Sequence, residues 1–124
     1  MAVNGMVLRL LIAARGYVEK GWCRGAMARN ARRVAVVPDS PSAVMWCASG
    51  AVRRAGLDLG SSVEKVNGCH NLLMEGLSDR EKAWNWSISE WNDRNSRKKE
   101  EVLALFDRAI LKLEGTSGSQ EGGL

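Results

Sequence analysis

The feature that most constrains the fold is the spacing of apolar residues, which recur every three or four positions over much of the chain. The spacing is most regular between residues 97 and 113. An α-helix completes a turn every 3.6 residues, so this spacing places one apolar stripe along a helix. We therefore predict a helix over residues 97–113. Its apolar positions are Val102, Leu103, Phe106, Ala109, Ile110 and Leu113.

Two further long helices are predicted from the same spacing, over residues 3–20 and 62–76. Gly21 follows the first as a C-terminal stop. Ser61 or Ser62 can cap the second, because a serine hydroxyl accepts a hydrogen bond from a free backbone N–H of the first helical turn.

A fourth helix is predicted over residues 41–55. Ser40 is a suitable N-cap, and Pro41 at the first helical position removes no hydrogen bond that the helix needs. This segment is apolar over most of its circumference, which is typical of the central helix of a small bundle.

Three shorter segments are less regular. Residues 23–31 are rich in alanine, and their propensity predicts a short second helix. Residues 34–37 form a β-branched run that we predict to be extended, although one strand alone cannot form a sheet. Residues 79–95 are predicted as a short helix or an irregular packed loop.

These elements predict an all-α fold, a compact single-domain bundle of five or six helices with little or no β-sheet. We assign the helical domain to residues 1–114 of the 124-residue chain. Residues 115–124 contain no bulky side chain before Leu124, and we predict a disordered tail there. The sequence contains no apolar run long enough for a membrane span, so we expect no membrane partner.

Basic residues are concentrated in the first half of the chain. Residues 1–62 contain nine Lys and Arg against three Asp and Glu, whereas residues 63–124 contain nine against eleven. Such a basic excess can face phosphates, an acidic protein surface or only water. The arginines that could contact a nucleic acid are Arg24, Arg29, Arg32, Arg33, Arg53 and Arg54.

The three cysteines, Cys23, Cys47 and Cys69, are an odd number without a C-x-x-C pair. This favours a reduced, cytoplasmic setting over a disulfide framework. Together with His70 they equal a zinc ligand set in number, but the neighbouring residues Cys69 and His70 would point about 100° apart on a helix. We predict no metal, no cofactor and no catalytic residue; buried thiols should be inert, and His70 should bond a backbone carbonyl.

Tryptophan is unusually frequent, with five residues against one tyrosine and one phenylalanine. Two short blocks begin alike, Trp22-Cys23 and Trp46-Cys47, and each ends in Gly-Ala. The indole beside small residues can be a packing knob or the wall of a ligand pocket.

A third block, Trp91-Asn92-Asp93, combines an aromatic anchor with two residues that favour turns. In one interpretation Trp91 pins a loop while Asn92 and Asp93 satisfy backbone N–H groups just ahead of the last helix. In the other, the block is a polar recognition spot.

Taken in order, four blocks resemble a family of short bacterial and phage proteins of unknown function. The resemblance spans about residues 3–113. It implies a cytoplasmic helical domain and supplies no activity or catalytic residue. The blocks are GWC with GA at 21–26, WCA with GA at 46–51, SI with WND at 87–93, and EVLAL at 101–105.

Two functions follow from these residues. The first is a non-catalytic protein-interaction or ligand-binding module, with a tryptophan-walled surface near Trp22, Trp46 and Trp91 that also includes Asn92 and Asp93. Its partner would be a second copy of the chain, an unidentified protein or a small ligand. The alternative is nucleic-acid binding through the arginines of the first half.

Overall fold

In the computed structural model, the backbone is described for residues 2–122 and the side chains for residues 5–115. Over that range the chain forms six helices and one small antiparallel sheet. In chain order the elements are α1 (Ala2–Lys20), β1 (Ala28–Arg29), β2 (Ala35–Val36), β3 (Met45–Trp46), α2 (Ala48–Asp58), α3 (Val63–Glu75), α4 (Asp79–Trp84), α5 (Ile88–Asn92) and α6 (Lys99–Gly122).

The core lies around α1, which contacts α2, α3 and α6. The stripe predicted on this helix is buried at Leu10, Leu11 and Val18, and it packs in one cluster with Val52 and Phe106. Each large aliphatic or aromatic side chain removed from water contributes roughly 1.5–3 kcal/mol. This burial positions the loops that carry the candidate site.

The predicted long helices are confirmed as α1, α3 and α6. Ser62 caps α3 by accepting a hydrogen bond from the backbone N–H of Lys65. The last helix continues past its predicted end at residue 113, to Gly122. The predicted disordered tail, 115–124, lies almost wholly outside the residues whose side chains are described, and it stays a prediction, as does the domain assignment.

The prediction of a helix over residues 23–31 is wrong. This segment contains β1, which pairs with β2 on one side and β3 on the other, in the order β2-β1-β3. Ala28 lies opposite both Val36 and Trp46. Alanine propensity is a weak local preference, and pairing with two distant segments overrides it. The fold is therefore mostly helical, but it is not all-α.

The start of the fourth predicted helix is also wrong. Instead of beginning at residue 41, α2 begins at Ala48, with Cys47 as its N-cap. The Cys47 sulfur accepts a hydrogen bond from the backbone N–H of Gly50 at 3.2 Å. Ser40 caps a turn instead, where its hydroxyl accepts from the Ser42 N–H. Of the residues between Ser40 and Cys47, Met45 and Trp46 form β3 and pair with β1.

The remaining short segments agree with their predictions. The extended run at 34–37 contains β2, and the irregular region at 79–95 contains α4 and α5. A capping box of Ser78 and Glu81 fixes the start of α4. Along residues 2–122, none of the helices combines the length and the apolar character that crossing a bilayer requires.

Candidate functional site

The two Trp-Cys blocks lie side by side. A parallel bridge joins Trp22 to Trp46. The Cys23 N–H donates to the Trp46 carbonyl at 3.3 Å, and the Trp46 N–H donates to the Gly21 carbonyl at 3.0 Å. Gly21 permits this approach, because a Cβ there would lie 2.2 Å from the carbonyl oxygen of Val44.

Asn92 joins the third block to the other two. Its side chain is fully buried. Its Oδ1 accepts from Trp22 Nε1 at 2.8 Å and from the Ala48 N–H at 3.0 Å, while its Nδ2 donates to the Cys23 carbonyl at 3.1 Å. One side chain therefore fixes the loop after α1, the start of α2 and the end of α5.

Asp93 extends this network by one step. Its Oδ1 accepts from Asn92 Nδ2 and from the Gly25 N–H, both at 3.0 Å. Asn92 and Asp93 thus satisfy backbone N–H groups, as one interpretation of the sequence held. The N–H groups belong to residues 25 and 48, however, and not to the approach to the last helix.

The structure separates the three tryptophans that were predicted to wall one surface. Trp46 and Trp91 are 5% and 1% exposed and pack in the core. Their indole N–H groups donate to the Pro38 carbonyl and the Glu81 carboxylate. Trp22 is half-buried and reaches the surface. A binding role for these residues stays a prediction.

Two other tryptophans, Trp84 and Trp86, have the indoles that are exposed. Trp84 is 68% exposed and Trp86 is 92% exposed. Sequence reasoning did not select them. The sequence feature that could have identified them as exposed is the irregular spacing of residues 84–91, because it places these two rings outside any apolar stripe.

An open recess lies beside Trp22. Its volume is about 440 Å³, and its lining residues are Trp22, Cys23, Arg24, Arg29, Arg33 and Met45. The Arg24 guanidinium lies 5.8 Å from the centroid of the Trp22 ring. We call this space the Trp22 recess.

Two of the three guanidinium groups of the Trp22 recess, those of Arg29 and Arg24, bond backbone carbonyls. Arg29 donates to the carbonyls of Arg24 and Arg33, each at 2.9 Å, and so links their backbones. Arg24 uses Nη1 to donate to the carbonyls of Arg94 and Asn95. Within the described part of the chain, none of these three arginines of the recess forms a salt bridge, although the exposed Asp93 bonds the N–H of Gly25, next to Arg24.

The other predicted arginines lie elsewhere. Arg32 is exposed and does not line the Trp22 recess. Arg54 pairs with Asp58 at 3.2 Å, and its guanidinium lies 5.8 Å from the centroid of the Trp46 ring. Arg53 lines a second recess of about 320 Å³ beside His70. Only half of the predicted arginine set is therefore brought together.

All three thiols are buried. Burial, with a smaller effect of Cys47, raises the pKa of Cys23 to about 11, and burial raises the pKa of Cys69 to about 12. Burial also raises the pKa of Cys47. These thiols are protonated at neutral pH and therefore weak nucleophiles. Among the residues described, no three His, Cys, Asp or Glu side chains are grouped so that they could hold a metal ion.

His70 makes the backbone bond that its sequence position predicted. Nδ1 lies 3.0 Å from the Val66 carbonyl, and Nε2 lies 2.8 Å from the Ser49 hydroxyl. A carbonyl can only accept, so Nδ1 carries the proton and Nε2 accepts from Ser49. Burial lowers the pKa of His70; the Val66 bond opposes this effect, and the charge of Arg53 adds to it.

The lowered pKa of His70 predicts a loss of stability in mild acid. The unfolded chain takes up the proton near pH 6.5, whereas the folded chain resists it. The contribution of His70 is therefore present above pH 6.5 and is lost as the pH falls through the folded-state pKa. Relative to His70→Gln, the wild type should lose up to about 1.4 kcal/mol per pH unit below 6.5, the slope for one proton.

Urea unfolding of both proteins between pH 7.5 and 5, limits chosen to bracket the usual histidine pKa of about 6.5, measures this difference. The Gln side chain keeps a polar group at position 70 but does not titrate. A stability difference that stays constant over this range would contradict the prediction.

Comparison with known proteins places the chain in a family. A model described as "Family of unknown function (DUF6197)" matches residues 4–112. The chain belongs to this family, which confirms its predicted resemblance to a family of unknown function. No curated protein and no solved structure matches it significantly.

Proposed function

We propose that the protein is a non-catalytic binding module that takes an anionic ligand in the Trp22 recess. The observation that carries the proposal is the grouping of Arg24, Arg29 and Arg33 around an indole, with no carboxylate paired to them in the described chain. A guanidinium matches phosphate and carboxylate oxygens in charge and in donor geometry.

The three arginines of the recess have different roles. Arg29 positions the backbone through its carbonyl bonds. Arg24 keeps Nε and Nη2 for a ligand, because within the described residues it bonds the protein through Nη1 alone. Arg33 is exposed at the turn before β2 and makes no side-chain hydrogen bond within the described residues. Arg24 and Arg33 are therefore the groups that would contact the anion.

The surroundings support binding over catalysis. Both polar atoms of the Asn92 side chain and the Oδ1 of Asp93 are occupied by bonds within the protein, and the raised pKa of Cys23 keeps its thiol protonated. We place the protein in the cytoplasm, where three unpaired thiols stay reduced. Self-association, or a protein partner for the same surface, stays a prediction.

The test uses tripolyphosphate, an anion without bases or apolar groups. Isothermal titration at about 50 mM salt should show saturable binding that weakens as salt rises. Arg33→Gly should weaken it at least about fivefold, in line with the loss of one charge-assisted hydrogen bond. Glycine is chosen because Arg33 has φ of 65°, in the left-handed region.

Arg53→Ala is the matched control. It removes the same charge from the other recess and should leave the affinity nearly unchanged. Absence of binding at low salt, or an equal loss in both variants, would contradict the proposal.

A further inference from the structure

Trp84 and Trp86 form an exposed aromatic pair. Burying a large apolar side chain contributes roughly 1.5–3 kcal/mol, a contribution that these rings largely forgo in the folded chain. Exposed indoles of this kind are typical of binding surfaces.

The backbone that presents these rings is held by side chains. The Trp84 carbonyl accepts from Arg94 Nη2, and Arg94 Nε donates to Asn85 Oδ1 at 2.8 Å. The Trp86 N–H donates to Glu90 Oε1 at 2.7 Å. The two indoles therefore project from a fixed segment between α4 and α5.

Hydrogen bonds connect this segment to the Trp22 recess. Arg33 and Arg24 are linked through Arg29, and Arg24 donates to the Arg94 carbonyl at 3.0 Å. Arg94 in turn bonds the Trp84 carbonyl. We call this chain of contacts, Arg33-Arg29-Arg24-Arg94-Trp84, the arginine strip.

A third recess continues the arginine strip beyond Arg94. It has a volume of about 300 Å³, and its lining includes Trp84, one acidic residue, Glu81, and three arginines, Arg80, Arg94 and Arg97. Glu90 lies 3.9 Å from Arg94, and Arg97 pairs with Glu101 at 3.3 Å. Arg80 makes no salt bridge within the described residues.

We propose that the ligand of the arginine strip is an unpaired nucleic-acid strand, with its phosphates on Arg33, Arg24 and Arg94 and its bases stacked on Trp84 and Trp86. This inference rests on the proposed function and specifies the ligand class. Cationic groups that lead to exposed aromatic rings suit a single strand, because a base exposes its flat face to an indole only when it is unstacked.

A duplex fits the same surface less well. Reading a major groove requires a helix or a two-stranded ribbon that enters it. In the strip, Arg29 lies in the two-residue strand β1 and Trp84 ends the six-residue helix α4, whereas Arg24, Arg33 and Arg94 lie in loops. An acidic protein would match the charge but would give the two indoles no planar partner.

The test measures binding of a labelled oligodeoxythymidylate of about 16 nucleotides by fluorescence anisotropy at about 50 mM salt. The Trp84→Ala/Trp86→Ala variant should bind at least about tenfold more weakly, because each stacked base contributes to affinity. Trp84→Phe/Trp86→Phe should retain most of the binding, since phenylalanine also stacks. The exposed Leu111 supplies a control, Leu111→Ala, which should bind as the wild type does.

The outcomes separate the two proposals. Suppose that tripolyphosphate binds and that Arg33→Gly weakens this binding, but that the double alanine variant binds the oligonucleotide as tightly as the wild type. The single-strand proposal is then contradicted, whereas the proposed anion site is supported. The proposal of an unpaired strand as the ligand would also be contradicted if a duplex of the same length bound with equal affinity. Preferential binding of polyglutamate over the oligonucleotide would contradict it as well. If neither tripolyphosphate nor the oligonucleotide binds, both proposals fail.

Discussion

Replacing Gly50 with alanine is expected to lower the free energy of unfolding by at least about 3 kcal/mol, or to prevent folding. A Cβ at this position would lie 1.9 Å from the Met27 carbonyl oxygen and 2.8 Å from the Met27 carbonyl carbon. That carbonyl also accepts from the Cys47 N–H at 3.1 Å. Met27 precedes Ala28, which pairs with β2 and β3, so the backbone cannot move away cheaply.

Urea unfolding followed by circular dichroism measures this loss, and Gly16→Ala is its matched control. Both residues are helical, but a Cβ at Gly16 would meet no atom within 4 Å. Alanine is preferred over glycine in a helix by about 1 kcal/mol, so Gly16→Ala should stabilise the protein slightly. Similar stabilities for the two variants would show that the contact between α2 and the Met27 backbone is not as close as described.

Asn92→Ala is expected to be nearly as damaging, with a loss of about 3–5 kcal/mol. The substitution leaves the Trp22 indole N–H, the Ala48 N–H and the Cys23 carbonyl without their partner in a buried place. Each unsatisfied buried group costs about 1–3 kcal/mol, although water entering the cavity would offset part of this.

The measurement is again urea unfolding, with tryptophan emission as a second signal. A red shift of the tryptophan emission of the folded variant would indicate that the Trp22 indole is more exposed to water. Asn95→Ala is the control, because Asn95 is exposed and its side chain makes no hydrogen bond among the residues described. A loss below about 1 kcal/mol for Asn92→Ala, the usual scale of one net hydrogen bond, would contradict the central role of this side chain.

The parts of the fold that follow from local spacing were predictable. The stripes of α1, α3 and α6 repeat over several turns, and burial in the core confirms them. The sheet was not predictable in this way, because strands of two residues are too short to show an alternating pattern. Their pairing depends on contacts between segments far apart in sequence, such as Ala28 with Trp46.

The start of α2 shows the same limit. Ser40-Pro41 is the stronger local signal, whereas cysteine is an uncommon N-cap. The true boundary is set by Ala48, whose N–H bonds Asn92, and by the close approach of Gly50 to Met27. Neither contact can be read from residues 40–50 alone.

Several residues of the candidate site could be predicted from the sequence, but their arrangement in space could not. The Trp-Cys and Trp-Asn-Asp blocks do meet, but through bonds that span 44 to 70 positions in the chain. The sequence pattern also did not show that Trp46 and Trp91 are buried, or that Trp84 and Trp86, which belong to no block, carry the exposed indoles.

The position of Asn92 also bears on how the chain acquires its structure during synthesis. Proteins are made from the N-terminus, and domains generally fold as units. Trp22, Cys23 and Ala48 leave the ribosome well before Asn92, the residue that satisfies their polar groups. The nascent chain can form α1 early, but the turn at residues 21–26 can close in its final form only after residue 92 has been made.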